Sequence, residues 1–175
     1  MSNHLVGIVP IVSAPMDFKM DWHDSLMPIA PNYYAVERAV LECAYAGCRT
    51  NKRTLLPIFY VPCPPEHKNK EYCISWTILR GASVASRVGG AISKWVKPTV
   101  FYTAFPHAVY PPDFLRPHRL RLIKKENFFL THQDKSVGTG DFLGFTFNFA
   151  QFEEMRDRFY KIENSLLLGQ ELDNE

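Results

Sequence analysis

The chain has 175 residues, room for one domain with a sizeable core and little for a second. Hydrophobic residues make up 46% and charged residues 22%, globular proportions that exclude disorder and collagen-like repeats. Lys and Arg number 20 against 18 for Asp and Glu, so the net charge of +2 gives no overall field to draw nucleic acid or anionic lipid.

Leu5 to Val12 is a continuous apolar run whose length and β-branching predict a strand buried on both faces, ended near Pro10. Ser13 to Pro31 reads as a loop rich in Pro, Asp and Met. Asn32 then serves as the N-cap of a helix in which Ala35, Ala39, Val40, Cys43 and Ala44 recur at helical spacing, and Gly47 closes it. Cys48 to Thr54 is polar and basic where strand–helix alternation expects a second strand, and Leu55 to Val61 supplies one later. Ser75 caps a second helix reaching Trp95, with Ile78, Leu79, Ala82, Ala85, Val88 and Ile92 along one side.

Thr99 to Phe105 is a third strand, β-branched and aromatic. In the long connection after it, Arg119 to Ile123 alternates arginine with apolar residues, as an edge strand with a protective basic face would. Asn127 to Leu130 and Phe142 to Phe147 predict two short strands around a tight turn, Gly138 to Asp141. Phe149 to Leu168 is an amphipathic helix with Phe152, Met155, Phe159 and Ile162 on its buried side. The alternation predicts a single α/β domain over residues 1–168, with a mostly parallel central sheet and helices on both faces, and an acidic tail over 169–175.

No apolar stretch approaches the ~18 residues of a membrane span. Met1-Ser2-Asn3-His4 shows no basic region ahead of an apolar run, so no signal peptide and a cytoplasmic location are expected. Cys43, Cys48, Cys63 and Cys73 form no C-x-x-C pair, which favours reduced structural thiols over a metal or disulfide framework.

Ligands of open α/β sheets bind beyond the carboxyl ends of strands, which directs attention to residues 13–31, 62–75 and 106–112. The first of these loops holds Asp17, Lys19, Asp21, His23 and Asp24, with Phe18 and Trp22 as a lid. No glycine lies between Gly7 and Gly47, which excludes a Rossmann fingerprint or a Walker loop there.

Ser25-Leu26-Met27-Pro28-Ile29, followed by a helix ending in Ala46-Gly47-Cys48, resembles the motif of the sugar-nucleotide-forming nucleotidyltransferases, a family with a GT-A-like, Rossmann-like fold. Leu26, Pro28 and Ile29 match the motif's apolar positions, and Ala46-Gly47 matches the helix end. The resemblance implies a divergent member of the family. It implies binding of a nucleoside triphosphate or sugar phosphate, with Ser13, Asp17 and Lys19 on the phosphate side and Ser75 with Thr77 on the base side. Asp24 and His107 would be the catalytic groups and Asp141 a Mg²⁺ ligand. Val12-Ser13-Ala14-Pro15 replaces the family's glycine-rich loop, Asp24 stands at the motif's lysine, and Phe105-Pro106-His107 stands where a metal aspartate belongs. Transferase activity is therefore expected to be weak or lost, because nucleotidyl transfer relies on cationic groups and metal. The alternative is a non-catalytic structural module contacting a protein partner or a second copy through aromatic and proline-rich surfaces such as Tyr33-Tyr34 or Tyr110-Pro111-Pro112.

Overall fold

The computed structural model describes residues 4–11, 24–48, 58–61, 73–91, 98–124 and 127–167. Ser13, Asp17 and Lys19 lie outside them, as does the tail over 169–175. In chain order the elements are β1 (Leu5–Ile8), β2 (Pro28–Ala30), β3 (Tyr33–Tyr34), α1 (Ala35–Ala46), α2 (Cys73–Ala91), β4 (Val100–Thr103), α3 (Arg119–Ile123), β5 (Phe145–Asn148) and α4 (Phe149–Leu167). No helix among the described residues is long and apolar enough to cross a membrane.

β4 is the central strand of a three-stranded sheet, and all its residues are buried. Its period-two alternation divides the core. Val100, Tyr102 and Ala104 join Leu5 against Ala39, Cys43 and Ala46 of α1. Phe101 and Phe105 join Ile8 and Phe147 against Ile78, Leu79 and Ala82 of α2 and Phe152 of α4. The small antiparallel pair β2–β3 leads into α1, and the turn between them holds Asn32 at φ 54°.

The sheet corrects the expectation of a mostly parallel one. β1 runs parallel to β4, with Ile8 opposite Thr103, but β5 runs antiparallel to β4, with Phe145 opposite Thr103. The cause lies in the chain between β4 and β5. That segment carries a 3-10 turn, Pro112–His118, and then α3, where an edge strand is expected from the Arg/apolar alternation. Leu115 and Leu122, seven residues apart and fully buried, anchor it in the α1-side cluster, while Leu120 stays 70% exposed. The connection therefore packs against α1 instead of forming the crossover helix a parallel neighbour requires, and the chain re-enters the sheet in the opposite sense.

Two boundaries also shift. α1 begins at Ala35, two residues later than the Asn32 cap implies, because Asn32 sits in the β2–β3 turn; Tyr34 caps the helix instead, its amide donating to Glu37 Oε2 at 2.9 Å. Of the strand expected over Leu55 to Val61, the described part, Ile58 to Val61, forms no strand, and Ile58 and Tyr60 are 73% and 82% exposed. The closing glycine is as expected: Gly47 adopts φ 105°, where a side chain would be strained.

Candidate functional site

The buried side of α1 comprises Ala35, Arg38, Ala39, Glu42, Cys43 and Ala46, a stripe at i, i+3, i+4, i+7, i+8 and i+11. Val40 and Ala44, placed on the stripe by the sequence pattern, are only half-buried. The apolar members of the stripe are all small, which leaves room beside the sheet for two long charged side chains. Arg38 is 1% exposed and Glu42 0%.

These two residues centre a polar cluster. Arg38 Nη1 donates to Glu42 Oε2 at 2.7 Å, and Arg38 Nη2 donates to the Phe105 carbonyl at 2.6 Å. Glu42 Oε1 accepts from the Tyr102 hydroxyl and, at 2.6 Å, from the Tyr110 hydroxyl. The Arg38 guanidinium lies 4.4 Å from the centre of the Tyr110 ring. Gly144 makes the space: a Cβ there would stand 2.9 Å from Glu42 Oε1 and closer still to the Tyr102 hydroxyl. Burial, reinforced by the Glu42 charge, pushes both phenols far above the ordinary tyrosine range. Both therefore stay protonated as donors to a carboxylate that accepts from three side chains.

A buried ion pair is weak grounds for stability, since desolvation offsets most of the attraction. What this one supplies is position. It ties α1 to β4 through Tyr102, and to the chain leaving β4 through the Phe105 carbonyl and Tyr110. The turn it holds lies at the carboxyl end of β4, beside the carboxyl end of β1, and contains Pro106 and His107.

Of the expected site residues, His107 packs on Phe142, the residue that follows Asp141. The His107 ring, half-buried, lies 5.3 Å from the ring of Phe142, which in turn lies tilted 5.5 Å from Phe105 between ring centres. Asp24 opens a 3-10 turn, Asp24–Leu26, that packs on α1 through the buried Ser25, and it makes no hydrogen bond or ion pair with His107 or Asp141. Ser75, exposed, and Thr77, half-buried, belong to α2, whose Ile78, Leu79 and Ala82 share a cluster with Phe105 and Phe142 on the side of the sheet away from α1. Trp76 between them packs edge-on against Phe159 and Tyr160 of α4, at 5.4 and 6.4 Å between ring centres.

Asp141 borders the Val137–Thr139 turn: its Oδ2 accepts from the Thr139 hydroxyl at 2.8 Å and its Oδ1 faces Lys135 Nζ at 3.9 Å. Among the described residues no group of three or more His, Cys, Asp or Glu side chains is placed to hold a metal.

Arg38, Glu42, Tyr102 and Tyr110 escape a reading that searches loops for chemistry. The available signal is the i, i+4 Arg/Glu pair lying on the same stripe as Ala35, Ala39, Cys43 and Ala46. No protein-family model matches the chain, and no curated protein or solved structure matches it either.

Proposed function

We propose that this protein binds a nucleotide or sugar phosphate at the carboxyl edge of the β1–β4 parallel pair, with transferase activity weak or absent. The observation that carries the reading is the held turn after β4. A ligand at the carboxyl ends of parallel strands needs a fixed rim, and the Arg38 bond to the Phe105 carbonyl, with Glu42 holding Tyr110, fixes this one from beneath. His107 belongs to that rim, half-buried with both ring nitrogens turned away from solvent, so it donates to a phosphate oxygen only if the turn opens towards the ligand. The motif resemblance at Leu26, Pro28, Ile29 and Ala46-Gly47 supports the same ligand class. Asp24, at the motif's lysine position, brings negative charge where phosphate transfer needs positive, which accords with binding outlasting catalysis.

Thermal denaturation with nucleoside triphosphates, nucleoside diphosphate sugars and sugar phosphates, with and without Mg²⁺, tests it. A ligand that binds only the folded state adds about 2.7 kcal/mol at a hundredfold excess over its Kd. A rise in Tm that is lost in His107→Ala is the expected result. No rise with any of them at millimolar concentration overturns the reading.

A second reading, a module that contacts a protein partner or a second copy, is favoured by one observation. Ile58, Phe59 and Tyr60 are consecutive and 73%, 51% and 82% exposed. Sedimentation of the wild type against Ile58→Ser and Tyr60→Ser tests the second-copy form of it: self-association that both substitutions abolish is expected, and a monomer at all concentrations contradicts it.

A further inference from the structure

We propose that Cys43 and Cys48 form a redox-active dithiol at the end of α1, which a peroxide oxidises to a disulfide within the folded protein. The placement follows from how the helix stops. The Gly47 amide donates to the Ala44 carbonyl at 3.2 Å and the Cys48 amide donates to the Cys43 carbonyl at 3.1 Å, the paired bonds of a Schellman motif. That motif brings the side chain four positions before the left-handed glycine against the one immediately after it. In most proteins those positions hold two hydrophobic residues; here both carry thiols.

The positions of the sulfurs agree. A Cβ built on Gly7 of β1 would stand 2.6 Å from Cys43 Sγ and 3.3 Å from Cys48 Sγ, so both sulfurs crowd one point over the strand. The neighbouring Cys48 thiol, together with burial, holds the Cys43 thiol well above its ordinary range. Both cysteines are free and buried, at 6% and 5% exposure, with Leu5, Ala39 and Ala46 in the same cluster. Carbon-lined surroundings and a small glycine opposite leave the pair together, with no other free cysteine in the cluster among the described residues.

Oxidation by hydrogen peroxide balances on these two residues alone. One thiol sulfur attacks the peroxide oxygen, becoming a sulfenic acid and releasing water. The second sulfur then displaces the hydroxyl, which leaves as a second water, and the sulfur–sulfur bond forms. Two electrons pass from the sulfurs to the peroxide and both thiol protons end in water. The bond would join the last turn of α1 to the residue after its cap, closing the helix end covalently beneath Gly7.

The test uses the full chain carrying Cys63→Ser and Cys73→Ser, beside the wild type so that all pairings can be mapped. Each is treated with hydrogen peroxide under native conditions, alkylated after unfolding and analysed by peptide mass spectrometry, with circular dichroism confirming that the fold persists. Expected is a Cys43–Cys48 cross-link, loss of both alkylation sites, and a raised Tm that a dithiol reductant returns to its starting value. In Cys48→Ser, Cys43 should instead accumulate sulfenic and higher oxides. The proposal is overturned if both thiols remain alkylatable after Cys63 and Cys73 of the wild type are consumed. It is equally overturned if Cys43 or Cys48 pairs with a different cysteine or with another chain.

Discussion

On the α1 side of β4, Tyr102 points into a cluster holding Arg38 and Glu42, packed among alanines and cysteines. On the other side, one residue earlier, Phe101 stacks on Phe147 at 5.0 Å and meets Phe152 at 5.7 Å between ring centres. The same strand thus faces two cores built by different physics. The aromatic face gains from area removed from water, a term with little directional demand that tolerates side chains of similar volume. The α1 face depends on matched partners, and removing one member alone leaves a buried charge or hydroxyl without its mate. Both faces reach the turn at the carboxyl end of β4: the polar one ties it through the Phe105 carbonyl and Tyr110, and the aromatic one packs Phe142 against Phe105 and His107.

The largest break in that comparison should come from Glu42→Ala. It leaves the Arg38 guanidinium buried without its carboxylate and removes the shared acceptor of two phenols, so a loss of about 3–5 kcal/mol is expected in chemical denaturation. Replacing both charges with apolar residues, Arg38→Met with Glu42→Leu, should recover most of that stability, yet weaken ligand binding because the turn loses its ties to Phe105 and Tyr110. Stability of the double variant no better than Glu42→Ala would show that the pair itself, not the unpaired charge, carries the energy.

Alkaline pH sharpens the contrast next. Tyr102 and Tyr110 are raised in the folded state above their ordinary value of 10.0, so the unfolded chain releases these protons first. Their contribution is complete below about pH 10 and falls as pH rises beyond it, by about 1.4 kcal/mol per pH unit for each phenol. Denaturant midpoints measured from neutral pH upward should show this fall, and a Tyr102→Phe, Tyr110→Phe variant should lose the slope due to these two groups.

Gly144→Ala attacks the polar face by volume alone. Its Cβ would press on Glu42 Oε1 and the Tyr102 hydroxyl, for an expected cost of about 1–3 kcal/mol. Met155→Leu is the smallest change, on the aromatic side, where Met155 packs against the cluster of Phe101, Phe147 and Phe152. A near-isosteric swap there should cost less than about 1.5 kcal/mol. Equal losses from the two substitutions would erase the distinction between the faces.

The elements with one strong local signal were legible from sequence. β-branched and aromatic crowding marks β4, the left-handed cap at Gly47 marks the end of α1, and Phe152, Met155 and Phe159 mark the buried side of α4. What could not be read locally was direction. β5 looks the same as a parallel or an antiparallel neighbour, and the choice rests on where Leu115 and Leu122 bury the connection that precedes it. Arg119 to Ile123 fits both a two-residue and a helical period, and the tertiary contact of Leu122 decides for the helix. The candidate site was legible only in part. His107 at the end of β4 follows from strand order, whereas Arg38 and Glu42 read as solvent-facing charges until the small residues beside them are recognised as making room.

The most direct test of the account follows the His107 imidazole by NMR during titration with a nucleoside triphosphate or a sugar phosphate. The chain has six histidines, and His107→Gln identifies the resonances of this one by their loss. The account predicts that the His107 signals move saturably with ligand while those of His118 and His132 stay in place. Saturable binding that leaves His107 unmoved, or no binding at millimolar ligand, would contradict the claim that the held turn after β4 is the rim of a binding site.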